Sequence, residues 1–410
     1  MIEQFLKSSA INSDFINFNY LCAYYFNQLL MDFNLTEEHK MIQEAARDFA
    51  QHELKPGVIE RDEKGIFPKE QIKKLGELGF MGMMASPDYG GGGMDTVSYI
   101  IAMEELSKID ASASVVVSVN NSLVCWGLDT YGTKAQKEKY LSQLTTGEKL
   151  GAFCLSEPEA GSDATSQKTT AIDKGDHYLL NGTKNWITNG NSADYYLVIA
   201  QTDREKKHRG INAFIVEKDW DGFEVGPKEN KLGIRGSDTH SLNFNDVKVP
   251  KENRIAEDGF GFKFAMKTLS GGRIGIAGQA LGIASGAYEL AKEYSKTRKA
   301  FGTEIRNHQA IAFKIADMYT QISAARHMVM QAACDKDAGK NYDLSGAMAK
   351  LHASQTAMDV TTEAVQVFGG NGYVKDYHVE RLMRDAKITQ IYEGTSEIQK
   401  IVISRSLLAD

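Results

Sequence analysis

Apolar side chains recur at helical spacing through the part of the chain that follows Pro250, where no further proline occurs. They return every three or four positions within 264–297, 309–336 and 345–368, and glycine or asparagine clusters separate these runs. A long run without proline favours long helices, because proline inside a helix removes a backbone hydrogen bond. A fourth helix is expected after Gly394, so the pattern predicts a four-helix bundle over 259–410.

The expected last helix has one apolar face and a residue that can cap its first turn. Thr395 and Ser396 both carry hydroxyl groups suited to the cap. The face itself is formed by residues at three- or four-residue spacing: Ile398, Ile401, Val402, Arg405 and Leu408.

A different pattern occupies residues 150–258. Short apolar runs at 169–172, 177–180, 195–200 and 213–216 alternate with Asn-Gly and Lys-Gly-Asp sequences that are typical of turns. Runs of this length and spacing predict an antiparallel sheet or barrel. The fold class is therefore expected to be α+β, with the β domain in the middle of the chain.

Residues 31–149 return to the helical pattern and are expected to form an N-terminal α-helical domain. Thr36 is placed to cap a first helix, and Pro68 lies near the start of another that carries Ile72, Leu75 and Leu78 on one face. Thr133 is expected to cap a helix over 135–144.

The first 30 residues are crowded with Phe and Tyr but also contain Glu3, Lys7 and Asp14. They lack the basic start and the uninterrupted apolar run of a secretory signal, and they contain no arginine. We expect Met31 to be the biological start, with 1–30 an upstream extension, an artefact or a docking segment.

Composition narrows the function class. The 410 residues are 42% hydrophobic and 25% charged, the net charge is −7 and the pI is about 5.8. An acidic chain is a poor nucleic-acid binder, and no uninterrupted apolar run is long enough for a membrane span. Four scattered cysteines and nine histidines form no CxxC, HxxxH or HExxH group, so no metal site is expected. We expect a cytoplasmic protein.

Two glycine-rich regions have structural interpretations. The run 90–93 is not followed by a GxxxxGK[ST] sequence, so it is read as a connection. Gly275, Gly278, Gly282 and Gly286 recur within one predicted helix, which indicates close backbone packing in a bundle.

The sequence QIYEGTSEIQ at 390–399 carries the principal candidate for catalysis. It sets Glu393 on a turn hinged by Gly394, immediately before the last helix. The positive end of a helix should keep this carboxyl ionised in the free protein, and a bound apolar ligand should then raise its pKa by expelling water. Glu393 is therefore a candidate general base, although helix capping or pairing with a surface lysine explains many such residues.

Four further segments complete the set of motifs: FCLSEPEAGSD at 153–163, KNWITNG at 184–190, RKAFG at 298–302 and QVFGGNGY at 366–373. Each is weak alone, because tryptophan often belongs to a core and Gly-Gly often ends a helix. In this order and spacing, together with Glu393, they resemble the acyl-CoA dehydrogenase family. The resemblance covers about 31–410.

The resemblance implies FAD, lying between the middle domain and the bundle, with its adenosine end touching a second subunit. Phe153, Leu155 and Ser156 would face the isoalloxazine ring, Trp186 would pack on it and Thr188 would bond near N5. Arg298 would reach the pyrophosphate of the neighbouring subunit's FAD. The remaining implied cofactor contacts are Phe301, Gln309, Gln366, Gly369, Gly370, Thr395 and Glu397.

The resemblance also implies an acyl-CoA substrate. Ser162 and Arg273 would contact the CoA moiety, and Tyr392 and Gly394 would line the thioester pocket. Ser270 stands where many relatives carry an aspartate, so one CoA contact is expected to be weaker. Glu393 would remove the α-proton, the flavin would accept the β-hydride, and electrons would pass to electron transfer flavoprotein. A homotetramer, as a dimer of dimers, is expected.

The segment TLSGGRIGIA at 268–277 is most similar to short-chain, butyryl-CoA-type members. Branched-chain acyl-CoA dehydrogenases and acyl-CoA oxidases are the alternatives within the family. A flavin-containing binding protein of the same fold is the alternative outside catalysis, but such a protein is expected to have a basic face and often to lack the base.

Overall fold

The computed structural model describes residues 34–409. The chain divides into two units, Met1–Lys40 and Met41–Asp410. In the first, Oγ1 of Thr36 accepts a hydrogen bond from the His39 backbone N–H at 3.2 Å, as expected of a cap. The expected extension, its start at Met31 and Cys22 lie outside the described residues.

The part that precedes the sheet is helical, which agrees with the sequence pattern. Pro68 directly precedes a helix that buries Ile72 and Leu75, whereas Leu78 lies beyond its end and is 58% exposed, so its assignment to the buried face was wrong. Thr133 forms a capping box with Gln136, as its position predicted. The helices are α1 Glu37–Phe49, α2 Val58–Lys64, α3 Lys69–Glu77, α4 Thr96–Ser107, α5 Ala111–Ser118, α6 Trp126–Tyr131, α7 Lys134–Gln136 and α8 Ser142–Thr145.

Three π-helical turns, Ala50–Leu54, Val119–Cys125 and Lys137–Leu141, continue α1, α5 and α7. The continuous helical run Ala111–Tyr131 is long and apolar enough to cross a membrane by length and composition. However, 94% of that window is buried inside the protein, as is usual for a core helix of a globular domain.

An eight-stranded sheet occupies the middle of the chain, in the order β6-β7-β3-β2-β4-β5-β8 with β1 paired to β4. Most pairs are antiparallel, as predicted, but β1 and β2 both run parallel to β4. The strands are β1 Gly151–Cys154, β2 Thr170–Asp173, β3 His177–Thr188, β4 Tyr195–Gln201, β5 Ile211–Glu217, β6 Phe223–Lys228, β7 Thr239–Pro250 and β8 Arg254–Ile255.

The Asn181-Gly182 sequence, expected to be a turn, lies inside β3. The register of β3 against β7 shifts between Leu180 and Gly182, and Gly182 has φ +143°. A glycine accommodates this β-bulge, which lets the strand continue to Thr188. The KNWITNG motif therefore starts on a strand and does not follow a turn.

The C-terminal part contains three long helices and two short ones. One short helix, Val379–Ile388, was not expected, because the residue before it, His378, makes no side-chain cap. The helices are α9 Gly261–Thr297, α10 Gln309–Asp337, α11 Asp343–Phe368, α12 Val379–Ile388 and α13 Ser396–Leu407, and a short hairpin of β9 Lys299–Ala300 and β10 Thr303–Glu304 joins α9 to α10.

The glycines of α9 permit close contact with α4, as predicted. A Cβ at Gly278 would lie 3.1 Å from Ile100 Cδ1, and one at Gly282 would overlap the Glu104 carbonyl. The last helix differs from expectation, since Ile401 is 42% exposed and Gln399 is the residue that α13 buries.

Candidate active site

The turn between α12 and α13 places Glu393 in an unusual backbone conformation. Glu393 has φ +51° and Gly394 has φ +95°, so two successive residues are left-handed. Glycine adopts this conformation at little cost, which explains the position of Gly394. Oγ1 of Thr395 accepts a hydrogen bond from the Ile398 backbone N–H and caps α13.

The carboxyl of Glu393 points at α9, where Gly272 leaves room for it. A Cβ at Gly272 would overlap Glu393 Oε2 and would lie 2.8 Å from Leu123 Cδ2. Oε2 is buried and makes no hydrogen bond within the described residues. Burial raises the pKa of Glu393 to about 7. This direction runs against the expectation that the helix end keeps the carboxyl ionised in the free protein, because desolvation is the largest influence on its pKa.

Two cations oppose the effect of burial. Lys350 and Arg273 both lower the pKa of Glu393 through their charge. The Arg273 guanidinium is itself largely buried, its Nε has no hydrogen-bond partner in the described part of the chain, and its pKa is lowered by burial. A buried cation with an unused donor is suited to a polar or anionic ligand.

Tyr392 anchors the turn to the helices beneath it. Its hydroxyl donates to Gln279 Oε1, and Gln279 Nε2 donates to Ala111 O at 2.9 Å and to Ser114 Oγ at 3.1 Å. This chain of bonds ties the turn through α9 to the start of α5.

Lys350, on α11, was not identified from the sequence. It is 1% exposed, and its Nζ donates to the Thr389 carbonyl at 3.0 Å and to the Gly394 carbonyl at 2.7 Å. The sequence did contain a signal for it, because this lysine lies among Ala347, Ala349 and Ala353 on a buried helix. Unpaired lysines are seldom buried, so a lysine in such surroundings is unusual.

The residues expected to face a flavin form a wall on the sheet. Phe153, Leu155, Ser156 and Thr188 are all partly exposed at the ends of β1 and β3. The Trp186 side chain is 57% exposed and stands at φ +58°. The hydroxyls of Ser156 and Thr188 make no hydrogen bond to any other described residue and are free to bind a ligand.

A buried ion pair supports this wall from behind. Lys184 is fully buried and donates to Glu157 Oε1 at 2.7 Å and to the Leu155 carbonyl at 3.0 Å. The Asn185 N–H donates to the Ser156 carbonyl at 2.9 Å. The segment 155–157 is therefore fixed against β3.

The wall and the Glu393 carboxyl are joined through α9 and the π-helical turn Val119–Cys125. The rings of Phe153 and Phe264 lie 6.3 Å apart, and Phe264 is on the same helix as Gly272. In the π-helical turn, Leu123 lies beside Gly272, and Val124 packs on Gly151 at the start of β1. The structure therefore brings the two predicted groups to neighbouring surfaces.

The residues expected to contact CoA are less closely grouped. Ser162 is exposed in the loop after β1, while Ser270 is buried on α9. Ser270 Oγ donates to the Met266 carbonyl at 3.1 Å, and Arg273 Nη1 lies 3.5 Å from Ser270 Oγ. Ser270 thus makes only a weak contact with Arg273.

A third group lies at the far end of α9. Arg298, Phe301, Gln309, Gln366, Gly369 and Gly370 surround the end of α9, the start of α10 and the end of α11, and all are exposed. At 1.5 Å per residue, Arg298 is roughly 39 Å from Gly272 along the helix. Phe301 is 97% exposed, and a Cβ at Gly369 or Gly370 would contact nothing within 4 Å. One chain therefore does not bring this group to Glu393.

Thr395 and Glu397 line an open groove of about 730 Å³ between α10, α11 and α13. Met328, Met348 and His352 form part of its other wall. The two residues are thus next to Glu393 in sequence, but they face this groove.

Three family models match consecutive parts of the chain. The acyl-CoA dehydrogenase N-terminal, middle and C-terminal domains match residues 36–148, 152–247 and 259–408. A short-chain-specific acyl-CoA dehydrogenase from Clostridium acetobutylicum is 54% identical over 374 residues, which are 91% of this chain and 99% of that protein.

Solved structures give the same result. Butyryl-CoA dehydrogenase from Megasphaera elsdenii superposes with a TM-score of 0.91 at 53% identity, covering 92% of this chain and 100% of that one. A chain from the structure of the electron transferring flavoprotein of Acidaminococcus fermentans superposes with a TM-score of 0.92 at 52% identity, covering 93% and 100% of the two chains.

Proposed function

The chain belongs to the acyl-CoA dehydrogenase family, and from this premise we propose that it desaturates a short-chain acyl-CoA thioester, with Glu393 as the base. It is an FAD-dependent oxidoreductase of fatty-acid β-oxidation. The observation that carries the proposal is the buried Oε2 of Glu393, which has no hydrogen-bond partner among the described residues and belongs to a carboxyl whose pKa is raised to about 7. A base with this pKa is poised for proton transfer near neutral pH.

The wall on the sheet fits the flavin of FAD. A planar ring needs an aromatic surface and a few directed hydrogen-bond donors. Trp186 offers a half-exposed indole, and Ser156 and Thr188 offer hydroxyls with no partner in the described chain. We assign the flavin to these residues together with Phe153 and Leu155.

The turn also has the donor that a thioester requires. The Glu393 backbone N–H makes no hydrogen bond within residues 34–409, so it can donate to the thioester carbonyl oxygen. Such a bond stabilises the negative charge that develops when the α-proton leaves. Glu393 Oε2 then takes the proton from Cα, and the electrons of that bond form the Cα=Cβ double bond. The hydride that leaves Cβ would need an acceptor, and this is the chemistry that bound FAD would supply.

Other residues of the pocket position the substrate. We assign Arg273 and Ser162 to the CoA moiety, with a weaker contact from Ser270, and Tyr392 and Gly394 to the thioester pocket. Support comes from the unused Nε of Arg273 and from the bond that fixes Tyr392 to Gln279. Because Tyr392 is held, the acyl group meets a fixed surface, which favours proton transfer.

We propose that the third group binds the adenosine end of FAD in a second subunit. The group comprises Arg298, Phe301, Gln309, Gln366, Gly369 and Gly370. Its exposure and its distance of roughly 39 Å from Gly272 support a role between subunits. Arg298 is exposed and its side chain makes no hydrogen bond to the described residues, so its guanidinium is available to bind a pyrophosphate. We assign Thr395 and Glu397 to the cofactor from the start of α13.

We further propose a homotetramer arranged as a dimer of dimers, and electron transfer flavoprotein as the electron acceptor. The structural similarity to a chain from the Acidaminococcus fermentans flavoprotein structure supports this acceptor. Domain boundaries at 31–149, 150–258 and 259–410 are proposed on the ranges of the three family models.

The substrate is tested by initial rates with butyryl-CoA, octanoyl-CoA and isovaleryl-CoA under one artificial electron acceptor. We expect kcat/KM to be highest for butyryl-CoA. A preference for isovaleryl-CoA would replace the short-chain assignment with a branched-chain one. Oxygen consumption at a rate equal to dye reduction would instead indicate an oxidase, and no activity with any thioester would contradict the proposed function.

A further inference from the structure

We propose that Lys350 is a positioning residue for the desaturation: its ammonium group fixes the turn that carries Glu393 and favours the ionised form of the Glu393 carboxyl. This inference rests on the proposed function, since it concerns the same base.

The geometry places Lys350 directly beneath the turn. Its Nζ donates to the carbonyls of Thr389 and Gly394, at 3.0 and 2.7 Å, and these carbonyls lie on either side of the segment that ends in Glu393. Gln399 Nε2 also donates to the Gly394 carbonyl, at 2.8 Å. Both ends of the segment are thus held from α11, and one of them is also held from α13.

A buried lysine at this position costs free energy, because its ammonium group is desolvated. Burial lowers the pKa of Lys350 to about 7, and the charge of Glu393 is the contribution that raises it. A well-packed apolar side chain would avoid this desolvation cost. The position is therefore explained by what the ammonium does for the turn and for the carboxyl, and not by packing.

The ionisable groups around Glu393 come from four elements. Lys350 lies on α11 and Arg273 on α9, and both favour the carboxylate. Tyr99 on α4 and Tyr392 on the turn also interact with Glu393, and the pKa of each hydroxyl is raised, mainly by burial, so both are neutral. Of the two cations in the described chain that lower the pKa of Glu393, removing Lys350 leaves Arg273. The pKa of Glu393 must then rise.

The experiment compares the pH profiles of kcat/KM for butyryl-CoA among the wild-type holoenzyme, Lys350→Met, Lys350→Gln and Lys350→Arg. Activity needs ionised Glu393, so it rises with pH through the pKa of that group. We expect the acid limb of the kcat/KM profile to move to higher pH in Lys350→Met, by about one pH unit or more, since one unit corresponds to a modest charge interaction. Its kcat should fall at least tenfold, with KM changed less.

The other variants separate the two roles of the ammonium. Lys350→Gln keeps a donor for the carbonyls but no charge, so kcat should recover partly while the limb stays displaced. Lys350→Arg keeps donors and charge, so the limb should return toward its wild-type position. If Lys350→Met does not fold, this contrast between Gln and Arg still decides the question.

Lys336→Met is the matched control, because the Lys336 ammonium is also largely buried in the bundle, where it lies 3.6 Å from Met84 Sδ and 5.9 Å from the centre of the Trp126 ring, and it makes no hydrogen bond to the turn that carries Glu393. Its acid limb should stay in place. An unmoved limb in Lys350→Met and Lys350→Gln, with normal FAD content, would overturn the inference. A wild-type protein that does not desaturate butyryl-CoA would instead overturn the proposed function.

Discussion

The space that Gly272 leaves on α9 is filled by the carboxyl of Glu393. A Cβ at position 272 would overlap Glu393 Oε2 and would lie 2.8 Å from Leu123 Cδ2. The base is therefore positioned by an absent side chain on a helix whose neighbouring residues are all buried.

Gly272→Ala tests this relationship. The added methyl group must displace the Glu393 carboxyl or Leu123, and a displacement of about 1 Å is expected to lower kcat by roughly 10- to 100-fold. Gly271→Ala is the matched control, because its Cβ would meet only Lys336 Nζ, at 3.8 Å. Equal activity of the two variants, at equal FAD content, would show that the space at Gly272 does not position the base.

The raised pKa of Glu393 has a consequence for stability. The ordinary value is 4.5 and the folded value is about 7, so the folded protein holds this proton more tightly. The free energy of unfolding therefore falls as pH rises from about 4.5 to about 7, and the loss remains above that range. A glutamine at position 393 stays uncharged at every pH, so it does not cause this loss.

Glu393→Gln is thus expected to be more stable than wild type at pH 8, on the order of 1–3 kcal/mol, and little different at pH 4.5. Thermal unfolding at both pH values measures this. Glu77→Gln, which changes an exposed residue at the end of α3, is the control and should show no such pH-dependent gain. A stability gap that is the same at both pH values would contradict a raised pKa.

Lys184→Met should weaken FAD binding at least tenfold, although Lys184 lies behind the wall and is not assigned a contact with the flavin. The buried ammonium fixes the Leu155 carbonyl and pairs with Glu157, so its removal leaves the buried Glu157 carboxylate without its counter-ion and frees the wall. FAD retention during dialysis is the measurement. Lys168→Met is the control, because Lys168 pairs with Glu159 on the surface, with both side chains about two-thirds exposed. Similar retention in both variants would show that the ion pair does not support the wall.

Arg298→Ala should lower FAD affinity and make the remaining binding less sensitive to salt, because a cation that meets pyrophosphate is lost. Its thermal unfolding should change little, since the side chain is exposed and makes no hydrogen bond to the described residues. Arg306→Ala removes a nearby exposed arginine that pairs with Glu304 and is the control. Unchanged affinity in Arg298→Ala would contradict a cofactor role for the third group.

Local chemistry carried much of the prediction from sequence. The left-handed Gly394, the Thr395 cap and the glycine contacts between α9 and α4 each follow from one residue type in one backbone environment. The fold class followed from the change of period between the helical and β regions.

Features that depend on tertiary contacts were not predictable in this way. Asn181-Gly182 has the composition of a turn, yet pairing with β7 converts it into a bulge. The direction of the Glu393 pKa depends on how deeply its carboxyl is buried against α9, and the role of Lys350 depends on a contact between residues about 40 positions apart. Neither the burial of the carboxyl nor this contact can be predicted from the residues next to it in the sequence.

The measurement that tests the central claim most directly is the anaerobic addition of butyryl-CoA to the FAD-loaded wild-type protein and to Glu393→Gln. The absorbance of the bound flavin is followed in both. We predict rapid bleaching in the wild type and none on the same time scale in the variant, with equal FAD content and similar binding of the thioester. Rapid bleaching in Glu393→Gln would contradict the assignment of Glu393 as the base.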